Sequence, residues 1–217
     1  ALRAETALQL HEDFSASAGG RVEEMKGKRV FNAAFCGMLG VVERLIDAGG
    51  DVNDAIANGS TALYIASEKG HADVVGLLLA KGADVDRAKS NGATPLYKAC
   101  ENGHHGVAKL LVGAGAGLDK AESDNGATPM MMASQDEFAD TVGLLVEAGA
   151  DLNKTDKNGR TVVYMASWNG HADVVKLFIE AGAGLNAVGA WGTALKKARE
   201  AGRTRVVKML EAAGAKE

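Results

Sequence analysis

The chain has 217 residues, and its 28 acidic and 24 basic side chains give a formal net charge of −4 at pH 7. This balance excludes a general attraction for nucleic acid, which takes clustered Lys and Arg. Because 47% of the residues are hydrophobic and recur periodically, the chain is not of the intrinsically disordered class. No apolar run approaches the roughly 20 residues that cross a bilayer. We therefore expect neither a nucleic acid nor a membrane as partner.

The first 20 residues differ from the rest of the chain. The stretch ALRAETALQLHEDF has helix formers and apolar residues at Ala7, Leu10 and Phe14, which predicts a short helix. The following SASAGG predicts a flexible break. Residues 1–20 are thus predicted to be an N-terminal extension.

A single design recurs along most of the remaining chain. The dipeptide Asn-Gly opens it at Asn58, Asn91, Asn125 and Asn158, which lie 33 or 34 residues apart. A fixed period of this size predicts stacked supersecondary units that bury their apolar faces against one another. The predicted domain, residues 21–217, divides into an N-terminal cap (21–57), full repeats (58–90, 91–124, 125–157 and 158–190) and a C-terminal cap (191–217).

Each full repeat carries signals for two helices. A Thr after the opening is placed to cap the first helix by accepting a bond from a free backbone N–H. A Gly after the second helix is expected in the left-handed conformation. An extended finger such as GADVDRAKSNG then leads to the next unit. The capping residues are Thr61, Thr94, Thr128 and Thr161, and the glycines are Gly82, Gly115, Gly149 and Gly182.

These units resemble the ankyrin repeat. They carry Gly-x-Thr-Pro/Ala-Leu/Met, then Ala, then Gly-His, then an aliphatic run, then Gly-Ala-Asp-Val/Leu-Asp/Asn. The resemblance covers roughly residues 28 to 215. It implies an all-α fold, an ankyrin-repeat solenoid of stacked helix-turn-helix units with extended β-hairpin-like fingers. The N-terminal cap lacks the Gly-x-Thr-Pro opening, and the C-terminal cap is rich in Lys and Arg, as expected for units with a solvated face.

Three regularly spaced histidines, His71, His104 and His171, raise the question of a metal site. Stacked units place equivalent residues about 10 Å apart, whereas zinc takes nitrogen ligands at about 2.0–2.1 Å. The resemblance implies a structural role, with each imidazole hydrogen-bonding between helices and turns. No nucleophile motif, carboxylate pair or phosphate loop is present, so we predict no enzyme activity, cofactor or metal.

The third repeat departs most from the pattern. Glu137 and Phe138 replace the Gly-His pair, and Met130, Met131 and Met132 replace residues such as Leu-Tyr-Ile. A methionine cluster fills irregular gaps in a core and also forms adaptable binding surfaces. Both interpretations stay open, and we favour core packing.

The cysteines indicate the compartment. Cys36 and Cys100 lie about two repeats apart in an extended array, so we expect no disulfide between them. With no signal-peptide pattern at the N-terminus, the sequence predicts a cytoplasmic, intracellular protein. Because the chain starts at Ala1, we expect a processed or excised segment.

The resemblance implies a binding surface on a concave face, made of the fingers and the exposed side of each first helix. Trp168 is the sharpest candidate, because an exposed Trp is a typical interface anchor; the alternative is that it packs against Trp191 or a neighbouring finger. The acids Glu68, Glu101 and Asp136 slightly favour a basic partner segment. The predicted partner-binding residues are Ser60, Glu68, Lys69, Lys89, Ser90, Ala93, Glu101, Asn102, Asp124, Gln135, Asp136, Lys157, Arg160, Trp168 and Asn169.

The sequence therefore predicts a monomeric, non-enzymatic protein-protein interaction module or scaffold whose partner is another protein. Two alternatives stay open. The chain could be a targeting or regulatory segment of a larger enzyme, such as a kinase or ubiquitin ligase. It could also be a scaffold engineered from consensus repeats, although the differences between repeats argue for natural drift.

Overall fold

Short α-helices in pairs make up the architecture. The structure, a computed structural model, describes residues 22–217, with side chains from residue 29 onward, so the predicted extension at 1–20 lies outside the described residues. No strand occurs within the described residues, and the all-α prediction is confirmed. The helices are α1 (Val22–Phe35), α2 (Leu39–Asp47), α3 (Ala62–Lys69), α4 (Ala72–Ala80), α5 (Pro95–Glu101), α6 (His105–Gly113), α7 (Pro129–Gln135), α8 (Ala139–Glu147), α9 (Val162–Asn169), α10 (Ala172–Glu180), α11 (Ala194–Glu200) and α12 (Thr204–Ala212).

The predicted threonine caps are confirmed. The Thr61 hydroxyl accepts a hydrogen bond from the backbone N–H of Tyr64 at 3.1 Å, which satisfies one of the free donors at the start of α3. The same bond starts α5, α7, α9 and α11. Thr94, Thr128 and Thr161 form it as predicted, and Thr193, which was not among the predicted caps, forms it too.

The helices stack in two parallel rows. The inner row holds α1, α3, α5, α7, α9 and α11, and the outer row holds α2, α4, α6, α8, α10 and α12; the extensive helix contacts run within a unit or between adjacent units. One buried column fills the inner row and a second fills the outer row. Their members are Leu63, Leu96, Met130, Val163 and Leu195, and Leu78, Leu111, Leu145, Phe178 and Leu210, respectively. Met131 and Met132 are also buried, so the methionine cluster belongs to the core.

The fingers lie side by side and are joined by backbone bonds. The N–H of Ser90 donates to the carbonyl of Asn58 at 2.9 Å, and the equivalent bond recurs at the next three fingers. The β-hairpin-like character of the fingers is limited to isolated bridges, which occur in the described fingers at Ala55–Thr61 and Gly189–Gly192. The fingers are hydrogen-bonded turns, and their spacing is set by the repeats beneath them.

Left-handed residues end both helices of a repeat. The predicted glycines after the outer helices have φ values of 84, 83, 87 and 75°, which confirms their left-handed conformation. The turn after the inner helix uses Gly70, Gly103, Gly170 and Gly202 in the same way. In the third repeat Glu137 takes this place at φ 62°, and it is the one non-glycine residue with positive φ in the described chain.

Two glycines of the first repeat provide a matched test of helix propensity against backbone conformation. A Cβ added at Gly76, inside α4, or at Gly82, after it, would meet no atom within 4 Å. We expect Gly76→Ala to raise the free energy of unfolding by about 1 kcal/mol, because Ala favours a helix interior. Gly82→Ala should lower it by about 1 kcal/mol, because φ is 84°. Urea unfolding midpoints measure both, and shifts of the same sign would contradict the assignment.

Glu137 provides a second test. We expect Glu137→Gly to raise the free energy of unfolding by about 1 kcal/mol, because it relieves the left-handed strain of a side-chain-bearing residue. The mirror substitution Gly202→Glu, at an equivalent turn with open space around the Cβ position, should lower it by a similar amount. Thermal and urea unfolding check the pair. A destabilised Glu137→Gly protein would show that the Glu137 side chain has a structural role.

Candidate protein-binding surface

Inner helices are tied together through backbone carbonyls at their C-terminal ends. His71 Nε2 lies 3.1 Å from the carbonyl oxygen of Phe35, and His104 Nε2 lies 3.0 Å from that of Glu68. Since a carbonyl only accepts, each imidazole donates a hydrogen bond to the preceding unit. His171 does the same to the carbonyl of Gln135 at 2.7 Å. The structural role predicted for these histidines is confirmed.

The last unit continues this row with a different donor. Arg203 takes the position of the histidine, and its Nε donates to the carbonyl oxygen of Trp168 at 3.1 Å. Between the second and third repeats, Phe138 stands at the equivalent position and packs its ring near Gly103 instead. The residues whose carbonyls accept these bonds therefore have a structural role through their backbones, while their side chains lie at the surface.

An aromatic cleft lies between the fourth repeat and the C-terminal cap. It is lined by Arg160, Tyr164, Trp168, Trp191, Lys197, Glu200 and Ala201 and has a volume of about 290 Å³. Trp168 is 46% exposed, and its ring meets the buried Tyr164 edge-on at 6.3 Å between centroids. Trp191 is 47% exposed. The two indoles thus present large apolar surfaces that the fold leaves half open.

Arg160 is fixed beside Trp191 by a buried carboxylate. Its guanidinium carbon lies 5.5 Å from the centre of the Trp191 ring, within the range of a cation–π contact. Asp156 is buried and accepts from Arg160 Nε at 2.6 Å and from the backbone N–H groups of Arg160 and Asn158, both at 2.9 Å. The carboxylate holds the finger, neutralises Arg160 and so preorganises one wall of the cleft.

The other charged groups of the cleft neutralise each other. Lys197 Nζ donates to Glu200 Oε2 at 2.6 Å, and this bond raises the pKa of Lys197 and lowers the pKa of Glu200. Both groups are therefore ionised at neutral pH. Burial raises the pKa of Tyr164, so its hydroxyl is neutral there. With Arg160 paired to Asp156, the cleft is close to electroneutral, and it offers contacts of the apolar and π kinds.

A wider groove of about 620 Å³ runs between the outer helices α6, α8 and α10. Gly143 lies in its lining, and charged side chains of both signs surround it, among them Lys109, Glu147 and Lys176. Exposed ion pairs between such groups contribute little free energy, because the charges are well solvated.

Most of the predicted partner-binding residues are exposed or partly exposed, but two are not. Ser60 and Ala93 are buried. Their carbonyls accept the finger bonds from the N–H groups of Ile56 and Lys89, both at 3.0 Å, which turns the small side chains inward. The expectation that Ser60 and Ala93 offer side-chain contacts is therefore wrong.

Among the remaining predicted residues, several already have partners in the chain. Asn169 Nδ2 donates to the carbonyl of Gln135 at 2.9 Å, so the Asn169 side chain supports the inner row. Glu68 pairs with Lys69 at 3.4 Å, and Glu101 pairs with Lys98. The residues placed on the exposed surface are Lys69, Ser90, Asn102, Asp124, Gln135, Asp136, Lys157 and Trp168; partly exposed are Glu68, Lys89, Glu101, Arg160 and Asn169.

Sequence reasoning missed Tyr164, Lys197, Glu200 and Ala201 as lining residues and treated Trp191 only as a packing alternative for Trp168. Trp168 makes its ring contact with Tyr164, while Trp191 lies under Arg160. The available signal was a second Trp in the shortest finger, where Asn186 to Thr193 spans seven steps and Asn153 to Thr161 spans eight.

Within residues 22–217, no group of three or more His, Cys, Asp and Glu side chains is arranged to hold a metal ion. In the same range, every helix is too short or too polar to traverse a lipid bilayer. Cys36 and Cys100 are free thiols, and burial raises the pKa of Cys100 to about 12, which keeps it protonated and unreactive.

Comparison with known proteins defines the class. The family described as Ankyrin repeats (3 copies) matches residues 30–122, 113–189 and 130–216, and the chain belongs to this family. Its members are generally protein-protein interaction modules.

Among solved structures, the chain is similar to the crystal structure of the human ASB11 ankyrin repeat domain. The two share 28% sequence identity and a TM-score of 0.78, over 86% of this chain and 84% of that chain. No curated protein matches the sequence.

Asp156 allows a test of how the cleft is built. We expect Asp156→Ala to lower the free energy of unfolding by about 2–3 kcal/mol, because it removes hydrogen bonds to a charged group and leaves buried donors without a partner. Asp124→Ala, an exposed acid in the preceding finger, should change it by less than about 0.5 kcal/mol. Urea unfolding measures both. Equal effects would show that the buried carboxylate does not organise the finger.

Proposed function

We propose that this chain is a non-enzymatic module that binds another protein on the surface formed by the inner helices and fingers, with the aromatic cleft as the anchor site. The observation that carries the proposal is the pair of half-exposed indoles, Trp168 and Trp191, on a preorganised, electroneutral cleft. Ring surface of this size gains free energy when a partner removes it from water.

The energetics favour the cleft over the rest of the surface. Binding hot spots are enriched in Trp, Tyr and Arg and lie in well-packed pockets surrounded by groups that exclude water. Trp168, Tyr164 and Arg160 are residues of these three types, and all three line the cleft. Arg160 is already held by Asp156 at 2.6 Å, so little side-chain entropy is lost on binding.

The proposed setting is cytoplasmic, with the chain acting as a monomer. Two free cysteines, of which Cys100 is buried, support a reducing compartment. The exposed acids Asp124 and Asp136 support a slight preference for a basic partner segment.

Trp168→Ala tests the proposal. A truncated anchor costs about 2 kcal/mol or more of binding free energy, which is roughly a thirtyfold loss of affinity. The unfolding midpoint should stay nearly unchanged, because the side chain is 46% exposed. Affinity capture from a cell extract, followed by identification of the bound proteins, measures the loss, and urea unfolding measures the stability.

Phe35→Ala is the matched control. Phe35 occupies the same position in the N-terminal cap as Trp168 does in the fourth repeat, and it is 47% exposed. Proteins bound specifically by the wild type should be retained by Phe35→Ala and lost by Trp168→Ala. A strongly destabilised Trp168→Ala protein that still captures the same proteins would show that Trp168 has a structural role only.

A further inference from the structure

We propose that the aromatic cleft binds a linear peptide segment that inserts one aromatic or large aliphatic side chain and carries Lys or Arg three to five residues away, over the third repeat. The inference rests on the proposed function and specifies the partner of the same site. Two separate features support it, namely the chemistry of the cleft and the charge on each side of it.

The cleft suits one large uncharged side chain. At about 290 Å³ it holds about ten water molecules at roughly 30 Å³ each, which is enough for a single ring or branched chain with its first methylene. The indoles of Trp168 and Trp191 contribute to its lining, and the charges of Arg160 and Lys197 are already neutralised by Asp156 and Glu200. A charged side chain would lose hydration there without gaining an unpaired partner.

The charge changes sign across the cleft. On the side of the third repeat, Asp136 and Glu137 are both exposed at the end of α7; we call this pair the acidic edge. Within the described residues Asp136 forms no ion pair with Lys or Arg, and Glu137 lies 3.5 Å from His171 Nδ1. On the side of the C-terminal cap, Lys196 and Arg203 are exposed. Basic residues of a bound peptide are therefore attracted toward the third repeat and repelled from the cap.

The distance between the two features sets the spacing in the peptide. The ends of α7 and α9 are in contact, because Asn169 of α9 donates to the carbonyl of Gln135 of α7 at 2.9 Å. Packed helices lie about 8–10 Å apart, and an extended chain advances about 3.3 Å per residue. Lys or Arg placed three residues from the anchor reaches the acidic edge, and its long side chain tolerates one or two residues more.

A selection experiment tests the proposal without a known partner. A phage-displayed library of random 12-residue peptides is selected on the immobilised full chain, and enriched sequences are synthesised with a fluorescent label. We expect an aromatic or large aliphatic residue with Lys or Arg three to five positions away. Fluorescence anisotropy should show at least tenfold weaker binding to Trp168→Ala and unchanged binding to Phe35→Ala.

A charge reversal tests the acidic edge itself. The double variant Asp136→Lys with Glu137→Lys, checked for folding by circular dichroism, should bind the selected peptide at least fivefold more weakly. It should bind a version of that peptide with Glu in place of Lys or Arg better than the wild type does. Raising the salt concentration should weaken wild-type binding more than binding to the double variant.

The outcomes separate this inference from the proposed function. Peptides that need Trp168 but show no basic bias and no response to the charge reversal overturn the acidic edge and leave the proposed function intact. Peptides that bind Trp168→Ala as well as wild type overturn both. If no peptide is enriched while affinity capture still depends on Trp168, the partner is a folded surface, and the linear-peptide inference is wrong.

Discussion

Stacking of each helix pair on its neighbours is the interaction on which the rest of the structure depends. Helices of seven to nine residues such as α3, α4 and α5 are marginal in isolation. They persist because buried columns, for example Leu63, Leu96 and Met130 in the inner row, remove apolar surface from water between adjacent units. The caps and glycine turns then determine where each helix begins and ends.

Because of this stacking, the backbone of a residue can have a structural role while its side chain remains on the surface. At the ends of α1, α3, α7 and α9 a backbone carbonyl accepts a bond from the next unit, as Trp168 does from Arg203 and Gln135 does from His171. The side chain of that residue takes no part in this hydrogen bond. Its identity varies from Glu68 to Gln135 to Trp168 without altering the array, so one scaffold can present different surfaces.

The aromatic cleft follows from this division. Trp168 comes from an inner helix and Trp191 from the finger that follows the fourth repeat. Asp156 fixes the preceding finger and holds Arg160 beside Trp191. Each contribution is local to two adjacent units. A cleft of this kind can form at one position of the array while the other junctions keep ordinary polar side chains.

The sequence predicted the parts of the fold that repeat. The 33- and 34-residue spacing, the threonine caps and the left-handed glycines each depend on residues close together in the chain, so they could be predicted from the sequence. The burial of Ser60 and Ala93 could not be predicted in this way, because it depends on how a finger folds back on itself. Core packing was the favoured interpretation of the methionine cluster and is confirmed, but the sequence alone left a binding surface open because Met suits both settings. The cleft was only half predicted, since its lining combines a helix, a shortened finger and the following helix.

Native-state hydrogen exchange on a Leu210→Ala variant tests the stacking most directly. Leu210 is fully buried in α12, and truncating such a residue costs about 2–5 kcal/mol. If stability passes only between neighbours, the amides of α11 and α12 lose most protection, those of α9 and α10 lose less, and those of α3 and α4 keep theirs. Equal loss of protection from the first repeat to the C-terminal cap would contradict the account.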